Sequence, residues 1–113
     1  MRQTSLKAVR VPPYGVKITK TLKGKVVGRA YLYVMTNDLH DRPFGLMEDV
    51  FVDAEHRGSE IGTALVKRVV AEAKRRHCYK LIATSRYARG RVHVLYDRLG
   101  FKDHGREFRI DFP

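Results

Sequence analysis

The stretch VFVDAEHRGSEIGTALV, Val50 to Val66, changes its hydrophobic period halfway along. Its first residues close an apolar run, FGLMEDVFV (Phe44–Val52), that reads as a strand. Beyond the loop, Ile61, Leu65 and Val69 recur every four residues with Ala64 and Ala73 beside them, while Lys67, Arg68, Glu72 and Lys74 fall elsewhere. That spacing predicts an amphipathic helix over Glu60 to His77. Ser59 is the candidate cap, and the basic KRRH at Lys74 to His77 suits the negative C-terminal end. At the join between strand and helix sit Gly58, Ser59 and Gly62. Unpaired N–H groups and the positive end of the helix dipole make such a join an anion site, and glycine permits close approach. Glycine near a helix start is equally ordinary turn chemistry, so the join alone leaves both readings open. Glu60 stands in its middle. In a first helical turn its charge favours the helix by a few tenths of a kcal/mol to about 1, yet it repels any phosphate held there.

Working outward, VPPYG ends the weakly patterned N-terminal residues in a turn. GVKITKT alternates Val16 and Ile18 with polar neighbours, LKGK is a tight-turn candidate, and VVGRAYLYVMT is rich in β-branched and aromatic residues, which together predict a β-hairpin. The return strand is apolar on both faces (Ala30, Leu32, Val34 against Tyr31, Tyr33, Met35), the pattern of a central strand covered on both sides. After the helix, CYKLIAT reads as a short strand, and Val92, Leu95, Tyr96 and Leu99 share one face of a second helix that Gly100 stops. EFRIDF closes the chain as a strand, with Phe108, Ile110 and Phe112 on one face. The order strand, strand, strand, helix, strand, helix, strand predicts an α/β sandwich around a mixed sheet.

The 113 residues fit one small domain spanning 1–113. Hydrophobic residues at 43% and charged residues at 31%, with no apolar run near the roughly 20 residues a membrane span needs, point to a soluble protein. The N-terminus lacks the apolar stretch of a signal peptide. The single cysteine, Cys78, cannot form an internal disulfide, which fits a cytoplasmic location, and it reads best as a small buried apolar residue. The five histidines show no metal-ligand spacing, so no metal is expected. Against 12 Asp and Glu stand 23 Lys and Arg, a net charge of +11 that favours anionic partners. Charge alone does not choose among nucleic acid, acidic membrane and phosphorylated small molecules. A nucleic-acid-binding module rests on that charge alone, because no zinc pattern, recognition helix or RNP-type strand accompanies it.

The spacing Arg57-Gly58-Ser59-Glu60-Ile61-Gly62 resembles the R-x-x-G-x-G/A acyl-CoA pyrophosphate loop of the GNAT superfamily of N-acetyltransferases. The strand MEDVFV before it, the amphipathic helix and strand after it, and LYDRLGF (Leu95–Phe101), which resembles the family's Y-x-x-x-G-F motif, agree with that family over about residues 44 to 112. EDV and CYKL are similar in style to the amino-sugar acetyltransferases. Three features depart from the pattern. The middle loop glycine is Glu60; the asparagine often found seven residues before the helix tyrosine is Arg89; and only about a dozen residues precede the hairpin, where the family usually has a strand and a helix pair. The acceptor wall is then open, completed by the loop Thr36 to Phe44, or supplied by a second subunit, for which a homodimer is expected.

The resemblance implies acetyl-CoA as co-substrate and a primary amine as acceptor, with direct attack of the neutral amine on the thioester. It implies a V between the strands MEDVFV and CYKLIAT, where backbone groups of Val50, Phe51 and Val52 meet the pantetheine arm. Arg57 and the N–H groups of Gly58, Ser59, Glu60, Ile61, Gly62 and Thr63 meet the pyrophosphate. Tyr96 would protonate the departing thiolate, since a phenol with a pKa near 10 keeps its proton at neutral pH. Glu48 is the candidate base, with Asp49 in reserve. Each assignment has a plainer competitor: Tyr96 shares its face with Val92 and Leu99 as a core residue would, and Glu48 and Asp49 fit a bulge or strand-end ion pairs with arginines. The run RYARGR is most simply a solvated face, and an acetyl-CoA-binding scaffold without turnover is the remaining alternative.

Overall fold

The computed structural model describes residues 5–85 and 89–113, so Arg86 to Ala88 of the RYARGR run lie outside the described residues. Strands β1 (Tyr14–Leu22) and β2 (Lys25–Met35) form the expected hairpin. Lys23 and Gly24 connect them with φ of 51° and 79°. Two successive positive φ values define the turn whose twist matches paired strands, and glycine takes the second at no steric cost. Strand β3 (Phe44–Val52) pairs antiparallel with β2, and β4 (Leu81–Ala83) pairs parallel with β3, giving the order β1-β2-β3-β4. The crossover from β3 to β4 is helix α1 (Ile61–Arg75), and α2 (Gly90–Arg98) follows β4.

The four-residue stripe does what its spacing predicts. Ile61, Leu65, Val66, Val69 and Ala73 of α1 are buried against Val27, Ala30, Leu32, Val34 and Met47 of the sheet. Burial of a large aliphatic side chain is worth about 1.5–3 kcal/mol, so this layer carries most of the fold's stability. Gly28 sets how closely the helix lies: a Cβ there would stand 3.0 Å from Ile61 Cγ2 and 3.1 Å from Leu65 Cδ1. The second helix ends as expected at Gly100, whose φ is 96°, with the Phe101 N–H returning to the Tyr96 carbonyl at 2.9 Å.

Three expectations are corrected. Glu72 does not fall on the solvent side of α1: it is buried, with Oε2 2.6 Å from Arg75 Nη2 and 3.2 Å from Arg76 Nε, and Oε1 3.1 Å from Arg68 Nε. The arginine stems wrap the carboxylate, and Arg76 leans on the Tyr14 ring of β1, so an ionised group is buried with its charge paired. Strand β2 is central, yet it is covered on one face. Ala30, Leu32 and Val34 are buried, whereas Tyr33 on the other face is 38% exposed.

The third correction concerns EFRIDF, which does not pair as a strand. Every residue from Lys102 to Pro113 is exposed. Alternation marks a segment able to lie on a sheet, but a strand exists only once a neighbour takes its backbone groups.

Candidate active-site cleft

Strands β3 and β4 are in register at Gly45–Leu81, Leu46–Ile82 and Met47–Ala83, and there their pairing stops. Strand β3 runs on from Glu48 to Val52 with its β4-facing edge free of strand pairing among the described residues. The split coincides with a bulge. Tyr31 pairs with Glu48 and Arg29 with Phe51, so Asp49 and Val50 together oppose Ala30. Asp49 takes a φ of 52°, a left-handed conformation that Asp tolerates better than most residues. Arg29 holds it there, with Nε 3.0 Å from Oδ2 and Nη2 3.3 Å from Oδ1.

The split opens into a cleft of about 670 Å³. Glu48, Asp49 and Val50 line it from β3, Gly62 and Val66 from α1, and Val92, Leu95 and Tyr96 from α2. Of the residues singled out in the sequence, the fold therefore brings Glu48, Val50, Gly62 and Tyr96 into one space. Phe51 is placed elsewhere: its ring lies between two guanidinium groups, 4.7 Å from that of Arg29 and 5.5 Å from that of Arg57.

The loop into α1 is built differently from expectation. A single 3-10 turn, Ala54–His56, leaves β3, and Gly58 then takes a φ of 85°. Ser59 does not cap the helix; its hydroxyl donates to the His56 carbonyl inside the loop. Glu60 occupies the cap position with a φ of 68° and no side-chain cap bond, its carbonyl accepting from the Ala64 N–H at 3.0 Å. A glycine would take this conformation without strain, which gives the family's preference for glycine here a conformational reason. Glu60 also stands before the helix, outside its first turn, so helix stabilisation by its charge is not the dominant effect. The N–H groups of Ile61, Gly62 and Thr63 precede the first bond within the helix, from Ala64. Arg57 ties the loop to the strand through Nε and the Val52 carbonyl at 3.0 Å.

Tyr96 is half-buried, its ring centroid 5.1 Å from that of Phe101. Burial pushes its phenol above the ordinary value of 10; the positive charge of Arg89 opposes the rise and the Glu48 carboxylate adds to it. Glu48 is exposed toward the cleft. Asp49 is held in the ion pair with Arg29, which leaves Glu48 as the uncommitted carboxylate of the two. Cys78 is only partly buried, and burial raises its thiol pKa. Among the described residues, no group of three or more His, Cys, Asp or Glu is placed so that it could hold a metal ion.

Arg29 and the cleft-lining Arg89, Glu107 and Arg109 were not assigned roles by sequence reasoning. Arg29 carries no local signal, because its partner is set by the register between β2 and β3. Arg89 was visible only as a departure from a motif. The loop Thr36 to Phe44 is anchored on the segment between α1 and β4, where Arg42 donates to the His77 and Cys78 carbonyls at 3.0 and 2.9 Å and His40 lies against Tyr79.

Comparison with known proteins agrees with this geometry. A model described as the acetyltransferase (GNAT) family matches residues 6–101. A glucosamine 6-phosphate N-acetyltransferase from Trypanosoma brucei brucei is 34% identical over 89 residues, 78% of this chain and 58% of that protein. The chain thus spans less than two thirds of that relative's length. The crystal structure of a Trypanosoma brucei acetyltransferase superposes with a TM-score of 0.77 at 31% identity, covering 87% of this chain and 69% of that one. A glucosamine-6-phosphate N-acetyltransferase from Arabidopsis thaliana gives a TM-score of 0.80 at 22% identity over 88% of this chain and 67% of that one, a likeness of fold alone. Split parallel strands, an open helix start beside the split and a family match over most of the residues lead to one conclusion: the chain belongs to the GNAT acetyltransferase family.

Proposed function

We propose that the protein transfers the acetyl group of acetyl-CoA to a primary amine. The observation that carries this reading is the single cleft in which the split of β3 from β4 places Glu48 and Tyr96 beside the start of α1. Backbone groups of Val50 to Val52 have no strand partner toward β4 among the described residues and suit the amide-rich pantetheine arm. The N–H groups of Ile61 to Thr63, with those of Gly58 to Glu60 leading into them, suit the pyrophosphate. The amine nitrogen attacks the thioester carbonyl carbon, the new C–N bond forms and the C–S bond breaks. Glu48 takes the proton released by the amine, directly or through water, and Tyr96 gives its proton to the departing sulfur.

A phosphorylated amino sugar is the acceptor to test first. The relative that is 34% identical carries glucosamine 6-phosphate in its name, and Arg89 lines the cleft where an anionic acceptor would enter. We further propose a homodimer, working in the cytoplasm. The dimer is supported by the sheet face opposite α1, where Tyr33 and Ile82 are each 38% exposed. The alternative reading is a binder of acetyl-CoA without turnover.

Thiol release from acetyl-CoA, measured with glucosamine 6-phosphate, glucosamine and a panel of other amines, tests the proposal. Turnover that prefers the phosphorylated sugar is expected. Thermal stabilisation by acetyl-CoA with no turnover on any amine moves the function to the binder, and absence of both overturns acetyl-CoA as ligand.

A further inference from the structure

Net charge has no place until the fold assigns one, and here the fold gathers it. Residues 1–37 hold eight Lys and Arg with no Asp or Glu, and in β1, β2 and α1 together Glu72 is the only acidic residue. Strand β1 ends the sheet, and α1 packs against it as well as against β2. Along β1, Val16 and Ile18 pack against the core beneath α1, so the alternation puts Tyr14 and Lys20 on that same face. Arg76 reaches across to Tyr14, and Lys20 pairs with Gly28, the residue under Ile61 and Leu65 at the other end of the helix. From Tyr14 to Lys20 this edge measures about 20 Å at the rise of a strand.

The cations beside it are held in place. Arg68, Arg75 and Arg76 converge on the buried Glu72 carboxylate, three positive charges against one negative, so the cluster keeps a positive surplus. The side chains of Arg68 and Arg75 are nonetheless 65% and 68% exposed, and most of the N–H donors of each guanidinium take no part in these bonds. A planar fork already fixed in place loses less freedom on gripping a phosphate than a loose lysine does. Tyr14 stands among them, 47% exposed, with the Arg76 guanidinium 5.5 Å from its ring centroid and Arg76 Nη1 3.4 Å from its hydroxyl.

We propose that the edge between β1 and α1 is a second binding face, apart from the cleft, that holds single-stranded nucleic acid: phosphates on Lys20, Arg68, Arg75 and Arg76, and an unpaired base stacked on Tyr14. The apolar side of α1 is turned into the core, so the helix has no apolar stripe to lay into a lipid surface. Arginine forks match phosphate oxygens, and an exposed ring beside them matches the face of a base. A duplex keeps its base faces stacked and would meet the charges without Tyr14. Tyr14 and Lys20 do not line the cleft, so this reading stands whether or not the protein turns acetyl-CoA over.

Fluorescence anisotropy of a labelled oligothymidine with the full chain tests this. Binding is expected at low salt, with log K falling against log[salt] by about 0.7 for each phosphate neutralised. Lys20→Gln should flatten that slope by about one such step, while Lys17→Gln, which removes an equal charge from the opposite face beside Tyr31, should leave it unchanged. Tyr14→Ala should weaken binding roughly five- to hundredfold, the scale of one lost base stack, and Tyr14→Phe should retain it. Thermal melts accompany each variant; if Tyr14→Ala does not fold, the Lys20 and Lys17 variants alone decide. Equal effects of those two lysine variants overturn the site in favour of diffuse charge. So does a duplex, or a phosphatidylserine vesicle, bound as tightly as the single strand and unaffected by Tyr14→Ala, and no binding at low salt overturns the proposal outright.

Discussion

Arg29 grips Asp49 with two nitrogens, at 3.0 and 3.3 Å, across the one position where β3 bulges away from β2. Asp49 is left-handed there, and the pairing of β3 with β4 ends two residues earlier, at Met47. The ion pair is solvent-exposed on both sides, so its value for stability is small, but it fixes the backbone on which the thioester would lie. Arg29→Met should leave the melting temperature nearly unchanged while weakening acetyl-CoA binding by roughly tenfold, the scale of a misplaced binding element. Calorimetric titration beside thermal melting checks this; an equal loss in both would reduce the pair to ordinary strand support.

Tyr96→Phe keeps the ring against Phe101 and removes the proton. Turnover should fall on the order of a hundredfold, the middle of the range for general acid catalysis, with acetyl-CoA affinity unchanged. Because burial raises the phenol above its ordinary 10, wild-type turnover should show no loss assignable to this group between neutrality and that value. A full pH profile of kcat for both proteins decides it. Undiminished turnover in the phenylalanine variant would remove Tyr96 from the chemistry and return it to the core.

Glu48 is exposed to the cleft, while its neighbour Asp49 is engaged by Arg29. Glu48→Gln should lower turnover by roughly 10²- to 10⁴-fold, the range for general acid–base catalysis, with acetyl-CoA affinity nearly unchanged. Undiminished turnover in the variant would mean that water alone takes the proton.

Glu60 combines an unfavourable backbone conformation with a charge at the phosphate end, and two substitutions separate them. Glu60→Gly relieves a left-handed residue, worth about 1 kcal/mol of stability, and removes the charge. Glu60→Ala removes the charge alone. Both should tighten acetyl-CoA binding about tenfold at low salt and less at high salt, given roughly 1 to 4 kcal/mol between charges about 4 Å apart. Only the glycine variant should melt higher. Weaker binding by either would show that the carboxylate makes a favourable contact with the ligand.

Glu72 sets an acid limit on the fold. Its carboxyl falls from an ordinary 4.5 to about 2, chiefly through the hydrogen bond from Arg75, with Arg68 and Arg76 adding to it against the cost of burial. A depressed folded-state pKa contributes stability in full above the unfolded value of 4.5 and loses it as pH falls toward about 2. Glu72→Gln should therefore be clearly less stable than wild type at neutral pH, and the gap should close through that window. Urea midpoints of the two proteins at several pH values measure the gap directly; one that stays constant would mean that packing around the side chain, and not its charge, is what the substitution removes.

The elements themselves were legible because each is encoded by period. Val16 and Ile18 alternate, Ile61, Leu65 and Val69 repeat every four residues, and Lys23-Gly24 fits a two-residue turn, all from local sterics and burial that a chain carries with it. The family was legible too, since Arg57 to Gly62 and Tyr96 to Phe101 are short motifs at fixed spacing. What the periods could not carry was partnership between distant residues. Glu72 looks solvent-facing until three arginine stems fold over it. Arg29 has no meaning until a bulge shifts the register of β2 and β3 and presents Asp49. Glu60 reads as a charge near a helix until the loop turns it left-handed. Phe108, Ile110 and Phe112 fix one face of a strand, but pairing needs an edge, and which edge is free depends on where β4 stops in the assembled sheet. Local periodicity determined the elements; long-range register and burial decided which of their side chains meet.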